Sequence, residues 1–309
     1  MKVVLGVPDS RLPVWELGVP VMINQLSWSS TPPWDNETWV DSGGYQTLIR
    51  GARPSLRELI RRYRSIDADY YISLDVPTLP CSSPARETLE YYEELYSHDL
   101  DVVPVIHAYP PEHVDSVLDF YRKYPPRMYA YGGIAPPSSA RGAGRHAPIV
   151  IFHYLRRSVS AAPLHVLGAG SPAMMAVYRL ADSVDTSTYR VKAIHGMVIV
   201  PGKGERYVGL REIRWHVRRA TEEELEALHA FLESTGYPYT VRLDSWRSRA
   251  LVNAWILVHA RYDGEFDGVR LSGRLTRMSD VDLRDYAESL CSRKGVHAHL
   301  SAELSPPVE

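Results

Sequence analysis

The sequence predicts an α/β protein of the (β/α)8 TIM-barrel class, and three observations carry that expectation. Short apolar runs alternate with amphipathic helical patterns through the first two-thirds of the chain, which argues for a parallel sheet with both faces covered. The chemically unusual residues fall at the carboxyl ends of those runs: Asp41, Asp75, His107, Gly132-Gly133, Gly168 and Asp185. A barrel builds its site from many strand ends on that one face, whereas a doubly wound sheet binds at a single switch point. Third, 309 residues with 45% hydrophobic content can bury the core that such a barrel needs.

Taken in order, the runs at 3–7, 19–23, 38–40, 70–74, 102–106, 128–131, 165–167 and 183–184 predict strands. Between them, 55–65 places Leu56, Leu59, Ile60 and Tyr63 on one helical face, and 85–96, 111–123, 147–158 and 172–181 repeat that pattern. Ser55 and Ser83 or Pro84 suit helix starts. Beyond Tyr189 the character changes. The segments 192–200 and 206–210 flank Pro201-Gly202-Lys203-Gly204-Glu205 and predict a β-hairpin insertion over about 190–212. A helical C-terminal segment follows over about 221–290, with helices at 221–234, 246–262 and 280–290; Thr221 and Glu224 open the first as a capping box. No repeat or linker divides the chain, so one domain over 1–309 is expected, with the tail at 305–309 frayed.

Composition narrows the function. A formal net charge of -2 gives no global basic signature, so any nucleic-acid contact must come from local patches. Lys203, Arg206, Arg211, Arg214, Arg218 and Arg219, interleaved with Tyr207 and Trp215, form such a patch, open to two readings: phosphate contact or a solvated face. The two cysteines, Cys81 and Cys291, are too few for a disulfide framework or a multi-thiolate zinc site, which fits a reducing cytosol. No cofactor and no metal are expected; Cys291, His297 and His299 read as a solvated helix end rather than a metal site. The chain start resembles a strand rather than a signal peptide, and no apolar stretch reaches the ~18 residues of a membrane span. A soluble cytoplasmic protein is the expectation. The excess of arginine over lysine and the 23 prolines suit a protein built for high temperature.

Two carboxylates carry the chemistry. Asp41 sits in Val40-Asp41-Ser42-Gly43-Gly44-Tyr45-Gln46 and Asp185 in Asp182-Ser183-Val184-Asp185-Thr186-Ser187-Thr188, each straight after an apolar run. A pair of carboxylates from distant segments is the minimum for breaking a glycosidic bond, one attacking or stabilising C1′ while the other moves a proton. Singly, Asp41 reads equally as a turn former and Asp185 as a cap. Asp182 reads as a partner of neighbouring backbone.

The motif order resembles the tRNA-guanine transglycosylase superfamily and its relatives that insert 7-deazaguanines into DNA. The match runs from Asp41 to Tyr189 through Asp-Ser-Gly-Gly-Tyr-Gln at 41–46, Leu-Asp at 74–75, Tyr-Gly-Gly-Ile-Ala at 131–135, Leu-Gly-Ala-Gly-Ser-Pro at 167–172 and Asp-x-x-Asp at 182–185. The resemblance implies a barrel fold, Asp185 as the nucleophile that forms a covalent enzyme–nucleic acid intermediate, and Asp41 as general acid/base. It implies that Asp75 accepts hydrogen bonds from the base edge, that Tyr45 stacks on the ring, and that His107, Gly132, Gly133, Ile134 and Leu167 complete the base site. Lys203, Arg206, Arg211 and Arg214 then become candidates for the nucleic-acid backbone. Implied partners are a nucleic acid, DNA or tRNA, and a free guanine or 7-deazaguanine base, with a homodimer or partner subunit also compatible.

The sequence departs from the family in two places. His107 stands where the family usually has Gln, and the same histidine reads equally as a core-edge residue. The Cys-x-Cys-x-x-Cys and distant His zinc element that follows the nucleophile strand in relatives has no counterpart; the residues beyond 262 are also too few for an appended RNA-binding domain, so DNA is favoured and the nearest branch is the short, zinc-less DNA transglycosylases. Two other classes compete: a non-catalytic partner subunit, which needs neither carboxylate, and a barrel glycoside hydrolase, which has no use for Asp75 beside Gly132-Gly133.

Overall fold

The computed structural model describes residues 1–8, 10–44, 55–134, 143–209 and 217–292. Nine short strands form one parallel sheet: β1 (Lys2–Val7), β2 (Val21–Asn24), β3 (Thr38–Asp41), β4 (Tyr70–Ile72), β5 (Val102–Val103), β6 (Val105–Ile106), β7 (Tyr129–Tyr131), β8 (Leu164–Val166) and β9 (Ser183–Thr186). Their order is β5-β4-β3-β2-β1-β9-β8-β7-β6. The two edges, β5 and β6, are consecutive in the chain and separated by Pro104 alone. Proline has no N–H to give a ladder, yet its carbonyl still accepts from Ala130 N–H at 2.9 Å. The sheet is therefore nearly closed, consistent with a TIM-like barrel.

Period-two alternation sorts every strand. Val4, Met22, Trp39, Ile72, Val103, Val105, Met128 and Ala130 pack together inside the barrel. Val3, Leu5, Val21, Ile23, Val40, Val102, Ile106, Tyr129, Tyr131, Leu164, Val166 and Val184 belong to a second core outside it, beneath the helices. The alternation passes through Pro104 without a change of phase, so β5 and β6 act together.

The helices that cover this barrel are α1 (Leu56–Ser65), α2 (Arg86–Ser97), α3 (Pro111–Tyr121), α4 (Ala143–Ser158) and α5 (Pro172–Val177). Strict βα alternation is not kept: a 3-10 turn, Val14–Leu17, separates β1 from β2, and no helix separates β2 from β3. The physical reason lies in 27–36, where Ser, Asn and two prolines break any helix. Tryptophans cover the barrel there instead, Trp15 stacked on Trp34 at 4.5 Å and Trp28 edge-on to Trp34 at 5.2 Å.

After β9 come α6 (Thr188–Ile194), the antiparallel pair β10 (Met197–Val200) and β11 (Gly204–Tyr207), α7 (Glu222–Ser234), α8 (Trp246–His259), α9 (Asp267–Leu275) and α10 (Asp280–Ser292). The hairpin is shorter than expected from 192–200. Residues 188–194 are helical with Tyr189 and Ala193 buried, and Gly196 at φ +75 turns the chain into β10. Buried Asn253 on α8 ties the hairpin down, accepting from Ile199 N–H and donating to Tyr189 O and Met197 O. The capping box of Thr221 and Glu224 is present. The helix α9 falls in a stretch where the sequence predicts none.

Two readings of the cysteines change. Cys81, in the loop after β4, and Cys291, on α10, are joined by a disulfide across 210 residues of sequence. Their separation gave no sign of it, because only the packing of α10 against the barrel helices brings them together. A bonded pair also removes the support they lent to a reducing cytosol. Among the described residues no helix is long and apolar enough to cross a membrane.

Candidate active site

The same alternation that fills the barrel interior continues past the strand ends and sets the site. Inward positions run Met22 then Asn24, Trp39 then Asp41, Val105 then His107, Ala130 then Gly132, His165 then Leu167, and Ser183 then Asp185. Below, these side chains are buried in the barrel; above, at the carboxyl ends, Asn24, Asp41, Gly132, Leu167 and Asp185 border a cavity of about 690 Å3. That volume suits a nucleotide-sized ligand. Asp41, Asp75, Gly132, Gly133, Leu167 and Asp185 all line it, with Asn24, Thr78, Thr186, Thr188 and Val191.

Each of the three carboxylates has a different support. Asp41 accepts from Asn24 Nδ2 at 2.7 Å on one oxygen and from Gly43 N–H at 3.3 Å on the other. Burial pushes its carboxyl up to about 7, and the negative charges of Asp185 and Asp75 push the same way against the pull of Gly43 N–H and Asn24. The loop that follows is braced from below: Gln25 Nε2 donates to Ser42 O at 2.9 Å, and Arg62 of α1 donates to Gln25 O. Gly43 sits at φ +82, and a Cβ on Gly44 would lie 2.4 Å from Asp75 Oδ1, so the Gly-Gly pair lets the two acidic segments meet.

Asp75 is held by His107. The Thr78 N–H lies 3.2 Å from His107 Nδ1, and an amide hydrogen can only donate, so Nδ1 accepts and Nε2 carries the hydrogen. That N–H donates to Asp75 Oδ2 at 2.8 Å. His107 is 1% exposed and stands behind Asp75 rather than facing the cavity as a base donor. A histidine also holds Asp185, with His165 Nε2 at 3.2 Å and Gly168 N–H at 2.8 Å from Oδ1. Among the described residues no donor reaches Oδ2.

Other expected site residues fall elsewhere. Ile134 is buried in the outer core. Tyr45, Arg211 and Arg214 lie outside the described residues, as do His297 and His299. Lys203 is exposed on the hairpin turn, and Arg206 points to Glu224 at 3.0 Å, its side chain 13% exposed. Neither lines the cavity. Asp182 binds neighbouring backbone, accepting from Leu164 N–H at 2.8 Å and from Arg156. Reading for motifs passed over Asn24, Thr78 and His165. The signal was parity: Asn24 sits two residues after inward Met22, and His165 alternates with outward Leu164 and Val166.

The residues do not fit the zinc element of the resembling family. The chain has only two cysteines and they are bonded to each other, and among the described residues no group of three His, Cys, Asp or Glu side chains could hold a metal.

Distant sequence similarity makes the protein guanine-transglycosylase-like in kind: the chain is 27% identical over 173 residues to the tRNA-guanine(15) transglycosylase of Archaeoglobus fulgidus, covering 52% of this chain and 36% of that enzyme. This distant match supports kinship at the level of the superfamily. The chain belongs to the family of the uncharacterized protein 306 of Sulfolobus islandicus rod-shaped virus 1, to which it is 34% identical over 266 residues, covering 85% of this chain and 83% of the viral protein. No known family model matches the chain.

Proposed function

We propose that this protein exchanges guanine in a nucleic acid for a 7-deazaguanine through a covalent intermediate on Asp185, a pentosyltransferase reaction. One observation carries the reading: three carboxylates from separate strand ends meet in one cavity, two braced through a single oxygen each and the third titrating near pH 7. In the first step Asp185 Oδ2 attacks C1′, the C1′–N9 bond breaks with its electron pair leaving on guanine, and Asp41 supplies the proton that neutralises it. In the second step Asp41 takes the N9 proton of the incoming base, N9 attacks C1′, and the ester breaks to return the Asp185 carboxylate.

Asp75 would read the base edge. An ionised carboxylate accepts only, and guanine-type bases present two donors, N1–H and the exocyclic amine. With Oδ2 engaged by His107, Oδ1, beside Gly44, is the oxygen left to accept from the base. Gly132 and Gly133 admit the flat base, and Leu167 forms part of its wall. The nucleotide must leave its stack to reach these groups.

DNA is the polymer we favour, because the zinc-held element that follows the nucleophile strand in the resembling tRNA enzymes cannot be built from these residues. The test incubates the protein separately with tRNA and with duplex DNA plus labelled guanine. Label should enter DNA and should fall to background in Asp185→Asn. Labelling of tRNA alone would move the reading to that polymer. Release of free base without incorporation would make the protein a hydrolase, and no reaction with either would favour a binding subunit.

A further inference from the structure

His165 is buried in the barrel interior with 0% of its surface exposed, and its ring meets one aromatic neighbour and a partner at each nitrogen. The ring leans on Trp39, with centroids 4.5 Å and planes 32° apart. Trp39 in turn stacks on Tyr70 at 4.0 Å, and the Arg127 guanidinium closes the column 4.2 Å above the Tyr70 ring. The Trp39 indole N–H donates to Glu37 at 2.8 Å, which sets its rotation. The imidazole Nδ1 lies 2.8 Å from Ser183 Oγ, and Nε2 lies 3.2 Å from Asp185 Oδ1. An ionised carboxylate only accepts, so Nε2 carries the hydrogen; in the neutral ring Nδ1 then accepts from the Ser183 hydroxyl. A buried imidazole aligned by an aromatic column on one carboxylate oxygen is more than core filling requires.

We propose that His165 is a positioning residue for Asp185, an inference that rests on the transglycosylase reading given above. Together with Gly168 N–H it occupies Oδ1, so that Oδ2 alone is presented to C1′. When the ester forms, Oδ1 becomes its carbonyl oxygen and keeps both donors. When the ester breaks, the C1′–O electron pair returns to Asp185, and the donors on Oδ1 strengthen as charge reappears there. The larger effect therefore falls on breakdown of the covalent complex.

His165→Phe keeps a ring on Trp39 and removes both nitrogens, while His165→Gln can again offer an N–H. The Phe variant should lose at least tenfold in kcat with KM for the incoming base within twofold of the parent, and its covalent complex should persist longer on a denaturing gel. The Gln variant should recover most of that loss. Turnover and complex lifetime equal to the parent in His165→Phe, or equal losses in both variants, would overturn the proposal. A second measurement is independent of activity and covers a Phe variant that does not fold: long-range 1H–15N spectra of the parent should show His165 protonated at Nε2, with ring signals that shift in Asp185→Ala. Protonation at Nδ1 alone, or no response to that substitution, overturns the positioning role. A parent that exchanges no base yet gives the expected spectra would sink the transglycosylase reading while leaving the His165–Asp185 contact intact.

Discussion

Asp41 is the residue whose environment most changes its chemistry. With its carboxyl pushed up to about 7, the folded chain keeps a proton that the unfolded chain has already released near pH 4. The folded state thus binds more protons between those values, so stability falls as pH rises from about 4 to 7, and above 7 the charged form is a constant cost. Asp41→Asn should therefore stabilise the fold more at pH 8 than at pH 5, by about 1–3 kcal/mol, the upper value reduced because the cleft admits some water. Urea unfolding at both pH values measures this, and an equal change at the two would mean that Asp41 is already ionised at pH 5. The same variant cannot move a proton and should lose base exchange. Asp41 was legible at this scale because its motif is local. Its raised pKa was not, since it arises from burial and from Asp75 and Asp185, both distant in sequence.

The hairpin is where element-level reading and structure part. Charge counting offered Arg206 to the nucleic-acid backbone, yet its guanidinium holds Glu224, whose side chain is 4% exposed and also accepts from Thr221 N–H at the start of α7. Arg218 approaches the same carboxylate from a more exposed position. Arg206→Ala would leave Glu224 buried with one cation fewer and should cost about 2–3 kcal/mol, read as a lower Tm. Lys203→Ala, on the exposed turn, should change stability by less than about 0.5 kcal/mol. If Lys203 touches phosphate, that variant should also weaken polymer binding and reduce its salt slope. Unchanged affinity and slope would make the turn a solvated face, and an unchanged Tm in Arg206→Ala would mean that Arg218 alone satisfies Glu224.

At the scale of the whole molecule, the disulfide joins the loop that carries Thr78 to the last described helix. The helices α9 and α10 lie over the barrel helices: His153 of α4 meets Ser272, Arg157 pairs with Asp280, and Arg284 reaches Asp115 of α3. Cross-linking residues 210 apart restricts the unfolded chain, and disulfides typically contribute about 2–4 kcal/mol. Cys291→Ser, or reduction, should therefore lower the Tm. The loop from Asp75 to Cys81 would lose one anchor while Cys81 N–H still donates to Ala108 O at 2.7 Å, so base exchange should survive at moderate temperature. An unchanged Tm under reductant would show that packing of α10 suffices.

By itself the sequence determined the eight strand positions, most of the helices and the three carboxylates, because alternation, helix period and the residues at strand ends are properties of a few consecutive residues. It also carried the parity that places Asn24, His107 and His165 inside the barrel, although no motif drew attention to it. Only the tertiary structure decided which of these groups touch. The bond from Asn24 to Asp41 spans 17 residues, that from His165 to Asp185 spans 20, that from His107 to Asp75 spans 32, and the disulfide spans 210. Such contacts follow from curling the sheet and laying the last helices over it, and no local pattern encodes how far around a nearly closed barrel two strand ends will meet.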